Sequence, residues 1–122
     1  MPKKPLDESR KPLSQPVVHM LLALAGGARH GYAIKRDVEE RTGGTVRLGP
    51  GTLYEAIQRL LEDGLIEEAS ARGDEPSNGQ QAQRRYYALT DSGWTVLRDE
   101  LRRLDAIVAH ARTNPRLRKG LV

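Results

Sequence analysis

The chain has 122 residues, of which 38% are hydrophobic and 30% charged, and its formal net charge is +4. This length allows one small domain with an appended element. No apolar run approaches the roughly 18 residues that span a bilayer, and no apolar stretch of a secretory signal follows the basic residues at the start. We therefore expect a soluble, cytoplasmic protein with no membrane partner. Because there is no cysteine, disulfides, thiolate metal sites and cysteine nucleophiles are excluded.

Much of the positive charge lies at the two ends of the chain. Residues 1–12 hold four basic and two acidic side chains, and residues 113–122 hold three basic and no acidic ones. Residues 45–69, by contrast, hold two basic and five acidic side chains. The overall balance is compatible with a nucleic-acid partner. The acidic middle also leaves open a surface that binds a protein.

The first predicted elements are an arm and two helices. Residues 1–13 are rich in proline and charge, which predicts a flexible basic arm. The first helix should start at residue 14 or 15 and run to Ala25, with Pro16 in its first turn, where the missing N–H is harmless. It is apolar on nearly all faces, so it should be buried. A second, amphipathic helix is predicted from Tyr32 to Arg41.

The clearest helix pattern follows a short β-prone stretch, Thr45–Leu48. Apolar residues then recur at i, i+3, i+4, i+7 and i+8, which predicts an amphipathic helix that ends with Gly64 as a left-handed cap. These apolar positions are Leu53, Ala56, Ile57, Leu60 and Leu61. Residues 65–69 and 84–89 are predicted strands, and the polar residues 70–83 between them form the tip of a long hairpin.

A final helix is predicted over residues 90–112, with Thr90 as its N-cap. Its apolar residues are spaced three and four apart, which gives a long stripe on one face. The stripe consists of Trp94, Leu97, Leu101, Leu104, Val108 and Ala111. Trp94 in such a stripe is either a ligand platform or core, and core is the favoured interpretation. A basic tail over 113–122 follows.

The order of these elements is helix, helix, short strand, helix, strand, hairpin tip and strand. It predicts a mainly α fold with a small β-hairpin: a winged helix-turn-helix domain over residues 14–89. The third helix is the candidate recognition helix, because its apolar face is used by the core. Its polar outer face, which includes Tyr54 and Gln58, matches what a DNA major groove admits and reads.

Four blocks of residues resemble the PadR family of bacterial transcriptional regulators. They are Gly51–Tyr54, Ala56–Ile66, His30–Tyr32 and Arg85–Gly93, and the resemblance runs from about Val17 to Ala111. It implies a homodimeric repressor with the single C-terminal dimerisation helix of the family's shorter subgroup. It also implies a DNA surface built from the third helix, the second helix and the wing. The implied dimer contacts are Trp94, Leu97, Leu101, Leu104, Ile107 and Val108.

Two residues depart from the family pattern. Glu55 stands where family members usually carry proline, and a carboxylate there repels phosphates, although it can accept a hydrogen bond from a cytosine amino group. No aromatic residue follows Trp94 in the last helix, which argues against an aromatic sandwich for an effector.

The candidate contacts to an inverted-repeat DNA operator lie on the second helix, before and on the third, and in the wing. They are Lys35, Arg36, Arg47, Thr52, Tyr54, Gln58, Arg59, Arg72 and Arg84. Each has a structural alternative. Tyr54 either reaches a phosphate or packs on a neighbouring helix, and the side chains of the third helix either contact DNA or are merely solvated. Lys35 and Arg36 can equally pair with Glu39 and Glu40.

Other classes of function find less support. His19, His30 and His110 lack the spacing of a metal site, and His19 should be a satisfied core or interface histidine. No nucleophile elbow, phosphate loop or buried carboxylate pair is evident, so neither an enzyme nor a cofactor is expected. The sequence predicts a repressor released by a small apolar or phenolic effector. The alternative is a winged-helix module that binds a protein without specific DNA binding.

Overall fold

The computed structural model describes residues 12–70 and 84–121. The predicted arm and hairpin tip lie almost wholly outside these residues. Within them the chain forms helices and a small antiparallel sheet, the winged helix-turn-helix that the sequence predicted. The elements are α1 (Gln15–Ala25), β1 (Arg29–His30), α2 (Gly31–Arg41), α3 (Pro50–Glu62), β2 (Ile66–Ala69), β3 (Tyr86–Leu89), α4 (Asp91–Ala111) and α5 (Pro115–Arg118).

Three helices begin at a side chain that accepts a free backbone N–H group. Ser14 accepts from Val17 at the start of α1, and the hydroxyl of Thr90 accepts from Gly93 at the start of α4. Both positions were predicted from the sequence, and each cap satisfies an otherwise orphan donor. The third cap is a histidine, His30, which was not predicted and which starts α2.

The core lies where α1, α2 and α3 meet the sheet. Its best-buried side chains come from the predicted inner faces, among them Met20 and Leu21 of α1 and Ile34 and Val38 of α2, all with no exposed surface. α3 contributes Leu53, Ile57 and Leu60, three of its five predicted apolar positions. Because this face of α3 is buried, its other side chains must face outward.

The sheet has the order β1-β3-β2 with β3 in the centre. The predicted hairpin strands pair with Ile66 opposite Leu89. The edge strand differs from the prediction: it is Arg29–His30, paired with Tyr87 and Tyr86, and Thr45–Leu48 is not a strand.

Side chains explain why the β-prone stretch forms no ladder. The hydroxyl of Thr42 accepts the N–H of Val46 at 3.1 Å. The carboxylate of Glu39 accepts the N–H of Leu48 at 3.3 Å. Val46 and Leu48 are still buried, so their apolar side chains serve the core while their N–H groups bond to α2 and its C-cap rather than to a strand. Tertiary context overrides β-propensity here.

Gly64 ends α3 as predicted. Its φ is +74°, and the N–H groups of Gly64 and Leu65 bond to the carbonyls of Leu61 and Leu60. This is the Schellman pattern, in which a left-handed residue without Cβ closes the helix. The turn places β2 directly behind the recognition-helix candidate.

α4 packs against α1 and β3 through its first half only. Gly93, Leu97 and Glu100 are its buried residues, and residues 101–107 are all exposed. The basic tail holds the single turn of α5, capped by Asn114, which the sequence did not predict.

Candidate nucleic-acid interface

The outward face of α3 is polar and exposed. Tyr54 keeps 53% of its surface exposed, and the remaining outward side chains are likewise accessible. With Tyr54, this face consists of Thr52, Glu55, Gln58, Arg59 and Glu62. A helix that presents such side chains on an open face has the dimensions to enter a major groove.

One edge of this face borders a pocket of about 320 Å³ between α2, α3 and the start of β3. Tyr54 and Arg84, which the sequence singled out separately, both line it. The full lining is His30, Gly31, Tyr32, Tyr54, Arg84, Arg85 and Tyr87. Burial raises the pKa of Tyr87 above its ordinary value, so its hydroxyl stays protonated at neutral pH. The pocket is therefore rich in hydrogen-bond donors.

The other edge of α3 borders a groove of about 530 Å³ that extends to the start of α1. Thr52, Glu55 and Arg59 lie on its rim, while Met20 and Leu60 belong to its apolar floor. The outward face of α3 is thus divided, with Tyr54 on one side and the other three residues on the opposite side. Glu55 and Arg59 place opposite charges on the same rim.

The cationic candidates on α2 are paired within the helix. The ammonium of Lys35 lies 3.1 Å from Glu39, and the guanidinium of Arg36 lies 3.1 Å from Glu40. The bond from Lys35 is the main cause that lowers the pKa of Glu39, and the bond from the Leu48 N–H acts in the same direction. Lys35 and Arg36 can reach phosphates only by exchanging these partners.

Two further candidates are bonded to their own neighbourhood. Gln58 donates to Glu62 at 3.3 Å, and Arg47 donates to the carbonyl of Gly44 at 3.1 Å. Both side chains are exposed, so these contacts leave them accessible to a partner. Arg72 lies outside the described residues.

The sequence did not assign a role to His30, Tyr32 or Arg85, although all three line the pocket beside Tyr54. His30 accepts from the Ala33 N–H through Nδ1 at 3.2 Å, and its Nε2 lies 2.9 Å from Nη1 of Arg84. The clue was local: His30 directly precedes Gly31 and the predicted second helix, where a capping side chain belongs.

The predicted dimer contacts divide into two groups. Leu97 is only 3% exposed and belongs to the chain's own core, so placing it in the dimer seam was wrong. Trp94, at 41% exposed, is not core, which corrects the interpretation favoured from its position in the stripe. The rest of the set is exposed or half-buried: Leu101, Leu104, Ile107 and Val108.

No helix within residues 12–70 and 84–121 is long and apolar enough to cross a membrane.

Sequence comparison places these features in a known family. A profile described as "Transcriptional regulator PadR-like family" matches residues 20–99. A curated relative from Streptomyces fradiae, described as an uncharacterized 37.1 kDa protein in transposon TN4556, is 37% identical over 81 residues. That match takes in 66% of this chain but only 20% of the relative, so this chain spans about a fifth of the relative's length.

Solved structures share the fold. RosR from H. salinarum has a TM-score of 0.60 at 26% identity, over 89% of this chain and 86% of that one. Bacillus subtilis PadR, solved in complex with operator DNA, has a TM-score of 0.54 at 26% identity, over 69% and 45% of the two chains. A transcriptional regulator from Clostridium thermocellum reaches 0.62 over 79% and 88%, and at 21% identity it shows the fold alone.

The family is one of transcriptional regulators rather than enzymes, in agreement with the expectation from the sequence. Its profile spans the first buried helix, the exposed recognition-helix candidate and the start of α4. The chain therefore belongs to the PadR-like family of transcriptional regulators.

Proposed function

We propose that this protein is a sequence-specific DNA-binding transcriptional regulator that works as a homodimer in the cytoplasm. The observation that carries the proposal is the two-faced α3: Leu53, Ile57 and Leu60 are buried, and the opposite face presents open polar side chains. A structural relative, B. subtilis PadR, was solved in complex with operator DNA. A recognition helix read in this way uses base-edge contacts for specificity and phosphate contacts for position.

The second half of α4 supports the dimer. Leu101, Leu104 and Ile107 are at least 36% exposed, on a helix segment that leaves the core after Glu100. A single chain gains nothing from ordering an apolar stripe in water, whereas a second copy of α4 can bury it. In such a dimer the two recognition helices read an inverted repeat in successive major grooves.

We further propose that the dimer is a repressor released by a small apolar or phenolic effector. Release requires an effector that binds the DNA-incompetent arrangement of the two copies more tightly than the competent one. Trp94 supports a site near the α4 pair, because its ring is partly exposed next to the proposed seam. A change in Trp94 fluorescence on titration with phenolic acids is the expected sign of binding, and a flat response across such compounds counts against this part.

The acidic surroundings of α3 favour a second candidate, a winged-helix module that binds a protein. Residues 45–69 hold five acidic and two basic side chains, and Lys35 and Arg36 are already paired with carboxylates. Such a module would bind an operator-like duplex no better than a random one and with little dependence on salt.

A DNA titration separates the two candidates. The intact chain is titrated against the DNA upstream of its own gene and against a random duplex of equal length, each at two salt concentrations. We expect specific binding whose affinity falls steeply with salt, by about 0.9 log units per log unit of salt for each phosphate contacted. Equal and weak binding to both duplexes would refute the regulator and favour the protein-binding module.

A further inference from the structure

The pocket beside Tyr54 contains a hydrogen-bonding conflict at His30. Nδ1 of His30 accepts the N–H of Ala33, and Nη1 of Arg84 lies 2.9 Å from Nε2. Both neighbours are N–H donors, yet a neutral imidazole has only one acceptor nitrogen. When Nδ1 caps the helix, Nε2 carries the proton, and it faces the guanidinium donor to donor. An anionic oxygen set against both groups would satisfy them together.

Tyr54 brings a third donor to the same place. A Cβ added at Gly31 would lie 2.9 Å from the hydroxyl of Tyr54 and 3.1 to 3.2 Å from two of its ring carbons. The phenol therefore lies directly over the start of α2. Gly31 has no left-handed φ, so the backbone alone does not require a glycine there. What it supplies is the space that the Tyr54 ring occupies.

The charges around the pocket favour an anion. Arg85 is paired with Glu68 at 3.3 Å, whereas no carboxylate within residues 12–70 and 84–121 forms an ion pair with Arg84. The start of α2, an eleven-residue helix, adds the partial positive charge of a helix N-terminus. The guanidinium of Arg84 is thus the cation of this pocket that is open to an acidic ligand.

We propose that His30, Tyr54 and Arg84 bind one backbone phosphate of DNA in each half-site, and that Gly31 is the positioning residue that admits the Tyr54 ring. This inference rests on the proposed DNA-binding function. His30 donates from Nε2, Tyr54 from its hydroxyl, and Arg84 from its guanidinium. The contact fixes α3 in its groove through a group at each end of the pocket, one on the recognition helix and one at the base of the wing.

The test removes the contact from either side. Duplexes with a single neutral methylphosphonate are scanned along the bound sequence for the position that weakens wild-type binding. We expect a loss of roughly tenfold at one position per half-site, the size of a charge-assisted hydrogen bond. Arg84→Gln and Tyr54→Phe should show a similar loss on unmodified DNA. On the modified duplex they should lose nothing more, because the partner has already been removed.

Gly31→Ala tests the positioning role. The added Cβ must push the Tyr54 ring aside, and an exposed ring can move without unfolding the domain. We expect DNA affinity to fall while the melting temperature stays at the wild-type value. Gly120→Ala is the matched control, since a Cβ there meets only the Leu117 carbonyl at 3.9 Å. Arg98→Gln, which removes an exposed arginine from α4, controls for loss of charge alone.

The outcomes distinguish this inference from the function beneath it. A wild-type chain that binds no duplex specifically refutes the proposed function and the phosphate site with it. A wild-type chain that binds specifically, together with Arg84→Gln and Tyr54→Phe variants that bind equally well, refutes the site and leaves the function standing. A methylphosphonate loss that remains in full in Arg84→Gln would also overturn it.

Discussion

His19 links the first two helices. Nη1 of Arg41 lies 3.1 Å from its Nδ1, and Nη2 of Arg41 donates to its backbone carbonyl at 2.9 Å. Arg41 is itself paired with Asp37 at 2.9 Å. Burial is the larger cause, and the positive charge of Arg41 the smaller, that together lower the pKa of His19 below 6.5. His19 is therefore the satisfied histidine that the sequence predicted, and its neutral form belongs to the folded state.

This shift predicts that acid weakens the fold through His19. Because its pKa is lower in the folded than in the unfolded chain, the unfolded chain binds the proton first, and the stabilisation present above pH 6.5 is lost as pH falls through the folded value. Urea unfolding at several pH values from about 7.5 to 5 should show this loss. His19→Asn should flatten the slope and the exposed His110→Asn should keep it. An unchanged slope in His19→Asn would contradict the assignment.

Glu39 predicts a link between α2 and the recognition helix. Its carboxylate accepts from Lys35 at 3.2 Å and from the Leu48 N–H at 3.3 Å, two residues before α3 begins. Glu39→Ala leaves that N–H without its acceptor and frees the turn, so both the melting temperature and the DNA affinity should fall. Glu40→Ala is the matched control, because Glu40 bonds only to the exposed Arg36. Equal melting temperatures for the two variants would argue against the link.

At the scale of elements, the start of α4 explains a departure from the usual capping pattern. Gly93 stands three residues after the N-cap Thr90, where a capping box has glutamate. A Cβ at Gly93 would lie 2.1 Å from the carbonyl oxygen of Leu65. The hydroxyl of Thr90 also donates to the Gly64 carbonyl at 2.6 Å. The space that a glutamate would need is taken by the turn between α3 and β2.

We therefore predict that Gly93→Ala destabilises the domain strongly. The contact is with backbone, which cannot turn aside as a side chain does, so the loss should be roughly 3 kcal/mol. Gly51→Ala, where an added Cβ meets nothing within 4 Å, should stay within about 1 kcal/mol of wild type. Urea unfolding measures both. A Gly93→Ala variant as stable as Gly51→Ala would show that α4 can shift away from the turn.

These elements also show what the sequence could predict. α1, α2 and α3 were predicted to within one residue or a few, because each carries its own apolar period and its own turn residues. β1 was missed because its two residues have no periodicity, and their partners Tyr86 and Tyr87 lie more than fifty positions away. Leu97 and Trp94 follow one stripe in the sequence, and only the packing of α4 on α1 separates the buried residue from the exposed one.

The candidate site was predicted in part for a similar reason. Tyr54 was placed on the outer face by the period of α3, and Arg84 by its position at the base of the wing. That the two share one pocket with His30 depends on the pairing of β1 with β3. Side-chain partners at helical spacing, such as Glu39 for Lys35, were predictable because one helix fixes both residues.

At the scale of the whole molecule, α4 is proposed to set the distance between two recognition helices. A dimer that reads an inverted repeat needs its recognition helices about 34 Å apart, one turn of DNA. α4 has 21 residues, which makes it about 31 Å long. Its first half is fixed to α1 and β3, so any rotation of one α4 against the other would be transmitted to both DNA-binding faces.

Leu101→Glu/Leu104→Glu tests this arrangement. Two carboxylates in an apolar seam cannot be paired there, so the variant should sediment as a monomer of 13.6 kDa while wild type sediments at twice that mass. Its DNA affinity should fall by roughly 100-fold, because a single half-site loses the benefit of linked binding. Ala106→Glu, which adds charge on the opposite face of α4, should stay dimeric and bind fully. A double variant that remains a dimer with full affinity would place the interface elsewhere, whereas a monomer with full affinity would separate dimerisation from DNA binding.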